Sequence, residues 1–309
     1  MGILEKQERE GIIFVIITIF IAGALPIIIK YGTGFINPLF FATLSSLIAG
    51  IFLSGIAIFR RSFNILINLK YLPCFLLIGF FGITLSNLSF FFGVTLTSGI
   101  NSSLLLQIEP LYALLIGYLL LREKITFPQI VFTFIIILGT LIVIHREGFK
   151  TNWGDLLILL TPLCWQIAHF ISKKLMSIHQ EIAPPLIATA RTLYGGIFLL
   201  ILNLLVGIKD YKNLEVKQVG LVLLFQGIIG FALHYTIWYE AIKRLNLSKA
   251  TALVSVYPTF SILLARLILK EVPNFYQILG FVIIIVGIYG LSGIKSEYRE
   301  KALSKDGIK

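Results

Sequence analysis

The chain contains one pattern twice, as QIEPLYALLIGYLLLREKITFPQIVFTFIIILG at 107–139 and as SVYPTFSILLARLILKEVPNFYQILGFVIIIVG at 255–287. Leucine and isoleucine agree by chance between apolar segments, but rarer residues agree here in a single register, 148 positions apart. The agreeing pairs are Pro110 with Pro258, Glu123 with Glu271, Gln129 with Gln277 and Gly139 with Gly287. This agreement predicts an internal duplication.

The composition places the duplicated unit in a membrane. Of the 309 residues, 57% are hydrophobic and only 13% are charged, and the mean hydropathy is +0.93. A soluble domain carries about 25% charged residues, so this composition excludes an ordinary soluble enzyme. It also excludes an intrinsically disordered chain, which would be poor in apolar residues.

Ten apolar segments are each long enough to cross a bilayer, which takes roughly 20 apolar residues in a helix. They lie at roughly 11–29, 38–59, 72–94, 99–121, 127–144, 154–172, 185–207, 217–241, 247–269 and 275–293. Five is an odd number, so a second copy of five helices enters the membrane from the opposite side. We therefore predict an all-α integral membrane protein with ten transmembrane helices, arranged as two inverted five-helix repeats.

The predicted repeats occupy residues 1–148 and 149–294, and a charged tail follows at 295–309. With the N-terminus in the cytoplasm, the cytoplasmic loops and the tail hold more than twice as many lysines and arginines as the opposite loops. Excess positive charge marks the cytoplasmic side of a membrane protein. We therefore predict that both termini and the tail are cytoplasmic.

The net charge of +11 comes from basic residues scattered over short loops, which favours membrane anchoring over nucleic-acid binding. Cys74 and Cys164 lie in apolar stretches and predict neither a disulfide framework nor a metal site. We expect no cofactor, no metal and no nucleic-acid partner. The expected partners are the lipid bilayer, a small-molecule substrate and, if transport is coupled, protons. One chain contains both halves, so a monomer is sufficient for transport. An oligomer is the alternative.

Several pieces of the chain resemble the drug/metabolite transporter superfamily, and within it the EamA-type ten-helix carriers. They are ALPIIIK at 24–30, NPLFFATL at 37–44, LLLQIEPLYALLIGYLLLREKIT at 104–126, LCWQIAHFISKKL at 163–175, APPLIATAR at 183–191 and ALVSVYPTFSILLARLILKEV at 252–272. The resemblance implies a multi-pass carrier of the cell (inner) membrane that exports amino acids or related compounds. The family often has an arginine in the second helix of each repeat. Here Arg191 fills that place in the second half, whereas Leu44 occupies it in the first.

Glu109 is the most informative single residue. An ionisable side chain at membrane depth costs about 2.5–3.5 kcal/mol on insertion scales and usually faces an interior or a water-filled cavity. Glu109 lies midway along the predicted fourth helix, two residues after Gln107 and directly before Pro110. Pro110 frees a backbone carbonyl one turn earlier. Glu109 therefore either binds a substrate amine or carries a coupling proton. The structural alternative is that it only hydrogen-bonds within the polar gap that Pro110 leaves in the helix, or with a neighbouring helix.

Polar aromatic residues recur at helical spacing in the second half. Trp165 and His169 share one face of a helix, as do His234 and Trp238. Rings supply apolar area, and their N–H and O–H groups fix orientation, as in a cavity for an amphipathic metabolite. An aromatic belt at the membrane interface is the alternative.

The predicted substrate-binding residues are Asn87, Gln107, Glu109, Trp165, His169, His234, Tyr235, Trp238 and Tyr257. Four prolines within predicted helices are either hinges or static kinks: Pro26, Pro110, Pro162 and Pro258. Arg191 is either a cytoplasmic anchor or an anion contact.

Together with the resemblance, these features predict a secondary transporter, facilitative or proton-coupled, that works by alternating access. The resemblance implies that it exports amino acids or related small metabolites. A nucleotide-sugar, organic-anion or drug transporter of the same superfamily is the alternative, as is a membrane protein without transport activity. An enzyme acting on lipid would need a cluster of acidic, histidine or lysine residues at headgroup level. The sequence contains no such cluster, so we do not expect the protein to be an enzyme.

Overall fold

The computed structural model describes residues 2–121, 126–144, 152–207, 216–245 and 247–293, and within these ranges it contains only helices and turns. Nine of the described helices are long and apolar enough to cross a membrane, and a tenth, apolar over 275–291, is slightly shorter. They are α1 Lys6–Gly32, α2 Pro38–Phe59, α3 Leu72–Leu96, α4 Gly99–Leu120, α5 Phe127–Ile144, α6 Trp153–Ile178, α7 Pro184–Val206, α8 Gln218–Arg244, α9 Lys249–Leu269 and α10 Phe275–Leu291. The predicted all-α, multi-span fold is confirmed. The tail at 295–309 and Glu123 lie outside the described residues.

Helices α5 and α10 approach each other closely enough to need glycine on both sides. A Cβ on Gly139 would lie 2.7 Å from Ile284 Cγ1, and a Cβ on Gly287 would lie 2.7 Å from Ile136 Cγ1. Both contacts relate residues at the 148-residue offset, since Ile136 aligns with Ile284. Reciprocal contacts of this kind are what a two-fold axis between equivalent helices produces.

Two lysines bind the ends of α3 and α8, the helices that the 148-residue offset aligns. Lys30 Nζ donates to the carbonyl of Val94 at 2.7 Å, near the end of α3. Lys173 Nζ donates to the carbonyls of Ile242 and, at 2.7 Å, Leu245, at the end of α8. The last carbonyls of a helix lack partners within it, and an ammonium also offsets the negative end of the helix dipole.

Four helices depart from regular α geometry. Helices α3 and α8 contain π-helical turns at Phe80–Leu85 and Phe225–Leu233. Helix α4 tightens into a 3₁₀ turn at Leu106–Ile108, just before Pro110, and α9 is interrupted by a turn just before Pro258. By contrast, Pro26 and Pro162 lie inside continuous helices. Such departures concentrate at functional sites and hinges.

Glu271 caps a helix of the other half. Its Oε1 accepts from the Gly99 amide and its Oε2 from the Ile100 amide, both at 3.0 Å. These amides open α4 and have no partner within the helix. Beside them, Gln277 Nε2 donates to Asn101 Oδ1 at 2.6 Å. The segment between α9 and α10 is therefore fixed to the start of α4.

We expect Gly139→Ala to destabilise the protein by about 1–3 kcal/mol, because overpacking at a close contact forces backbone shifts. The new methyl would lie 2.9 Å from the Gly280 carbonyl oxygen, which cannot move aside as a side chain can. Thermal unfolding of the purified protein in detergent measures the change. Gly55→Ala is the control, since a Cβ there meets nothing within 4 Å. Equal unfolding midpoints for the two variants would contradict the close approach of α5 and α10.

We expect Glu271→Gln to lower stability by about 1–2 kcal/mol, as losing a helix cap does. The amide keeps one acceptor but points an N–H₂ group at a second amide donor, and it loses the charge that favours a helix N-terminus. The midpoint of thermal unfolding is compared with that of Glu181→Gln, the same substitution on an exposed loop. The Glu181 carboxylate accepts one hydrogen bond, from the Tyr71 hydroxyl, which an amide oxygen can also accept. A shift no larger than the control's would show that the cap contributes nothing.

Candidate functional site

A small cavity lies near the middle of α1, α4 and α6 and between the two halves of the chain. It offers about 50 Å³ of free space, enough for a few water molecules. The lining residues are Thr18, Ala22, Leu25, Pro26, Phe90, Leu106, Glu109, Trp165, His169, Arg191, His234, Tyr235, Trp238, Val254 and Tyr257. Ionisable and hydrogen-bonding side chains therefore meet here, in a bundle that is otherwise mostly apolar.

The structure brings seven of the nine predicted substrate-binding residues to this cavity: Glu109, Trp165, His169, His234, Tyr235, Trp238 and Tyr257. The other two do not line it. Asn87 is buried between helices and donates to Ser46 Oγ at 3.3 Å, joining α3 to α2. Gln107 is buried in the 3₁₀ turn before Glu109. Pro26, predicted as a hinge, is a lining residue.

Arg191 is the principal lining residue outside the predicted substrate-binding set; the sequence left open a cytoplasmic anchor or an anion contact for it. Its side chain is fully buried. Nε donates to the Gly82 carbonyl at 3.0 Å and Nη1 to the Tyr239 hydroxyl at 3.0 Å. The guanidinium also lies 4.0 Å from the centre of the Tyr235 ring, a cation–π distance. Nη2 is buried and makes no hydrogen bond within the described part of the chain.

His169 connects Arg191 to the rest of the cavity. Its Nδ1 accepts from Trp238 Nε1 at 3.3 Å and lies 3.4 Å from Arg191 Nη1. An indole N–H and a guanidinium can only donate, so Nδ1 must carry the lone pair. The two contacts thereby assign the neutral tautomer of His169, with its proton on Nε2. Nε2 faces Glu109 Oε1 at 3.9 Å.

Glu109 opens the second part of α4, and its side chain is only 11% exposed. Gln166 Nε2 donates to Glu109 Oε1 at 2.7 Å. The pairing could not be read from the sequence, because Gln166 lies on α6. Oε2 has no hydrogen-bond partner among the residues that the structure describes. The carboxylate is thus held by one oxygen and available through the other.

Aromatic rings form much of the remaining wall. Trp165 meets Phe90 edge to face with their centres 5.8 Å apart. Trp238 is 4% exposed and packs on His169, inside the bundle and not at its lipid-facing surface. The Trp165 Nε1 group is buried and, like Arg191 Nη2, makes no hydrogen bond to a described residue. Among described residues, no group of three or more potential metal ligands is found.

We expect Tyr239→Phe to destabilise the protein by about 1–3 kcal/mol, the cost of leaving a buried donor without its acceptor. The variant removes the hydroxyl that holds Arg191 Nη1 and leaves the ring in place. Thermal unfolding in detergent measures the effect. Tyr118→Phe makes the same change at a side chain that is 50% exposed, and it should leave the midpoint unchanged. Two unchanged midpoints would mean that the Arg191–Tyr239 contact is dispensable.

The chain matches the model of the EamA-like transporter family over residues 9–145 and 152–293. It is 24% identical to a Bacillus subtilis protein named uncharacterized transporter YyaM, over 88% of this chain and 90% of that one. It is 25% identical to an uncharacterized transporter of Archaeoglobus fulgidus, over 84% of this chain and 91% of that one.

Another relative is named a probable terminal-alkyne amino-acid exporter, from Streptantibioticus cattleyicolor. It is 24% identical over 63% of this chain and 62% of its own length. A solved crystal structure superposes with a TM-score of 0.66 at 16% identity, covering 95% of this chain and 98% of that chain. At that identity the superposition shows a shared fold.

Proposed function

The chain belongs to the EamA-like transporter family, and on that premise we propose that it exports amino acids or related small amphipathic metabolites across the cell membrane. The observation that carries the proposal is the cavity between the halves, where Glu109, His169 and Arg191 meet. Buried charged side chains are costly in a membrane protein and usually mark the path of a substrate or ion.

We propose that transport proceeds by alternating access between two inverted five-helix halves, with both termini in the cytoplasm. The reciprocal packing at Gly139 and Gly287 and the equivalent contacts of Lys30 and Lys173 support the two-fold relationship. A cavity of about 50 Å³ is too small for an amino acid. Substrate entry therefore requires the halves to separate on one side. The interruption of α4 before Pro110 and of α9 before Pro258 gives them places to bend.

The chemistry of the wall supports the substrate class. Aromatic rings on α6, α8 and α9 offer apolar area to a side chain, while the charged groups fix a polar head. The relative named as an amino-acid exporter is consistent with this class. Nucleotide sugars and organic phosphates would call for several deep cations, and Arg191 is the one Lys or Arg among the described lining residues.

Glu109 is our candidate for proton coupling. A carboxyl that is buried and joined to a neutral histidine can exchange a proton when the cavity opens to water. The same geometry also suits a facilitator in which Glu109 only binds substrate. Flux under a pH gradient separates the two mechanisms.

We expect purified protein in proteoliposomes to catalyse saturable flux of at least one member of a radiolabelled amino-acid panel. Glu109→Gln should reduce that flux about tenfold or more, because a hydrogen bond to a charged group is lost in the cavity. An inside-acid gradient that accelerates only the wild type would assign coupling to Glu109. Acceleration of neither protein would identify a facilitator.

The control is Glu181→Gln, the same substitution on an exposed loop outside the cavity. It should retain wild-type flux and gradient response. The absence of saturable flux for every amino acid in the panel would refute the proposed substrate class. Flux of Glu109→Gln equal to that of the control would remove Glu109 from the mechanism.

A further inference from the structure

We infer that the cavity recognises the zwitterionic head of its substrate from two ends, with Arg191 binding the carboxylate and Glu109 binding the ammonium group. This inference rests on the proposed function and specifies its substrate chemistry. Arg191 and His169 belong to the second half of the chain, and Glu109 belongs to the first. A bound zwitterion would therefore connect the two halves.

Arg191 is a fully buried cation that forms no ion pair with any residue the structure describes. No carboxylate of the described residues lies within 4.0 Å of its guanidinium, and its hydrogen bonds go to a carbonyl, a phenol and an imidazole. Nη2 makes no hydrogen bond in the described part of the protein. A planar guanidinium with a free N–H group is suited to a carboxylate. The Trp165 indole N–H, also without a partner there, is a second donor in the wall.

Glu109 forms the other end of the proposed site, where the ammonium group would bind. Both of its described contacts, Gln166 Nε2 and His169 Nε2, are made by Oε1. Oε2 remains available to a donor, and an ammonium group carries three. The side chain is 11% exposed and lines the cavity. A ligand ammonium could reach it without displacing Gln166.

The separation of the two ends also fits. The imidazole of His169 spans the gap, with Nδ1 3.4 Å from Arg191 Nη1 and Nε2 3.9 Å from Glu109 Oε1. These two contacts and the ring set an upper limit on the gap between Arg191 and Glu109. The N–Cα–C–O unit of an amino acid, with a charge-assisted hydrogen bond of about 2.8 Å at each end, lies within that limit. An amino-acid head lying beside His169 would therefore contact both residues at once.

The arrangement selects against ligands with one charge. A simple organic acid would give the Glu109 carboxylate no cation to pair with, and a simple amine would give the Arg191 guanidinium no anion. Leaving one member of a buried charged set without its partner is strongly unfavourable, and sites built for a polar group reject analogues that lack it. A ligand with both charges also forms a contact with each half when the halves close around it.

The test is equilibrium binding to the purified protein, which does not depend on transport. The ligands are phenylalanine, 3-phenylpropionate, which lacks the ammonium, and 2-phenylethylamine, which lacks the carboxylate. Leucine, 4-methylpentanoate and 3-methylbutylamine form a second set. Trp165 and Trp238 line the cavity and report binding by fluorescence. We expect each amino acid to bind the wild type at least tenfold more tightly than either analogue.

Two variants should change this ranking in opposite ways. In Glu109→Gln the advantage of phenylalanine over 3-phenylpropionate should fall to threefold or less. In Arg191→Gln the advantage of phenylalanine over 2-phenylethylamine should also fall to threefold or less. The controls are Glu181→Gln and Arg266→Gln, which neutralise exposed side chains outside the cavity. If Arg191→Gln does not fold, the wild-type ranking and Glu109→Gln decide the question.

Wild-type affinities within threefold of each other, or no binding of any ligand, would overturn the inference. So would a ranking that Glu109→Gln leaves unchanged. Transport of amino acids without this ranking would leave the proposed function standing and refute only zwitterion recognition. Selective binding without flux would support the recognition and refute transport.

Discussion

The structure depends on one constraint: a polar group that is shielded from water must find its partner within the protein. Lys30 and Lys173 satisfy the carbonyls that end α3 and α8. Glu271 satisfies the amides that begin α4. These contacts join different elements, so satisfying a helix end also fixes where its neighbour lies. Irregular turns in α3, α4 and α8 precede residues that line the cavity.

The fold was predictable because its signals are local or periodic. Segment length and apolar composition give the helices, and the register of Pro110 with Pro258 predicts the duplication. The depth of Glu109 followed from its place along α4. The depth of Arg191 did not, because a position in sequence does not fix the tilt or rotation of a helix. Arg191 lies only a few residues inside α7, which favoured a cytoplasmic anchor over its buried position.

The hydrogen-bond pairs inside the site could not be predicted from the sequence, for a related reason. Gln166 reaches Glu109, and Trp238 reaches His169, across helices that are far apart in the chain. The 148-residue alignment of the two halves also misleads for individual side chains. Asn87 aligns with Tyr235 at the 148-residue offset, yet it lies between α2 and α3 and does not line the cavity. Asn87 and Tyr235, which the offset aligns, therefore have different surroundings.

That divergence has a physical consequence for the site. A symmetric cavity would hold two copies of each charge, and like charges in a buried space repel each other. Leu44 at the position equivalent to Arg191 leaves a single guanidinium, and Glu109 on the other half supplies the opposite charge. Neutral His169 lies between them, with Nδ1 toward the donors and Nε2 toward the acceptor. An imidazolium in its place would present a proton to two groups that can only donate. The neutral ring therefore allows one cation and one anion on opposite halves to face a common cavity while it is closed.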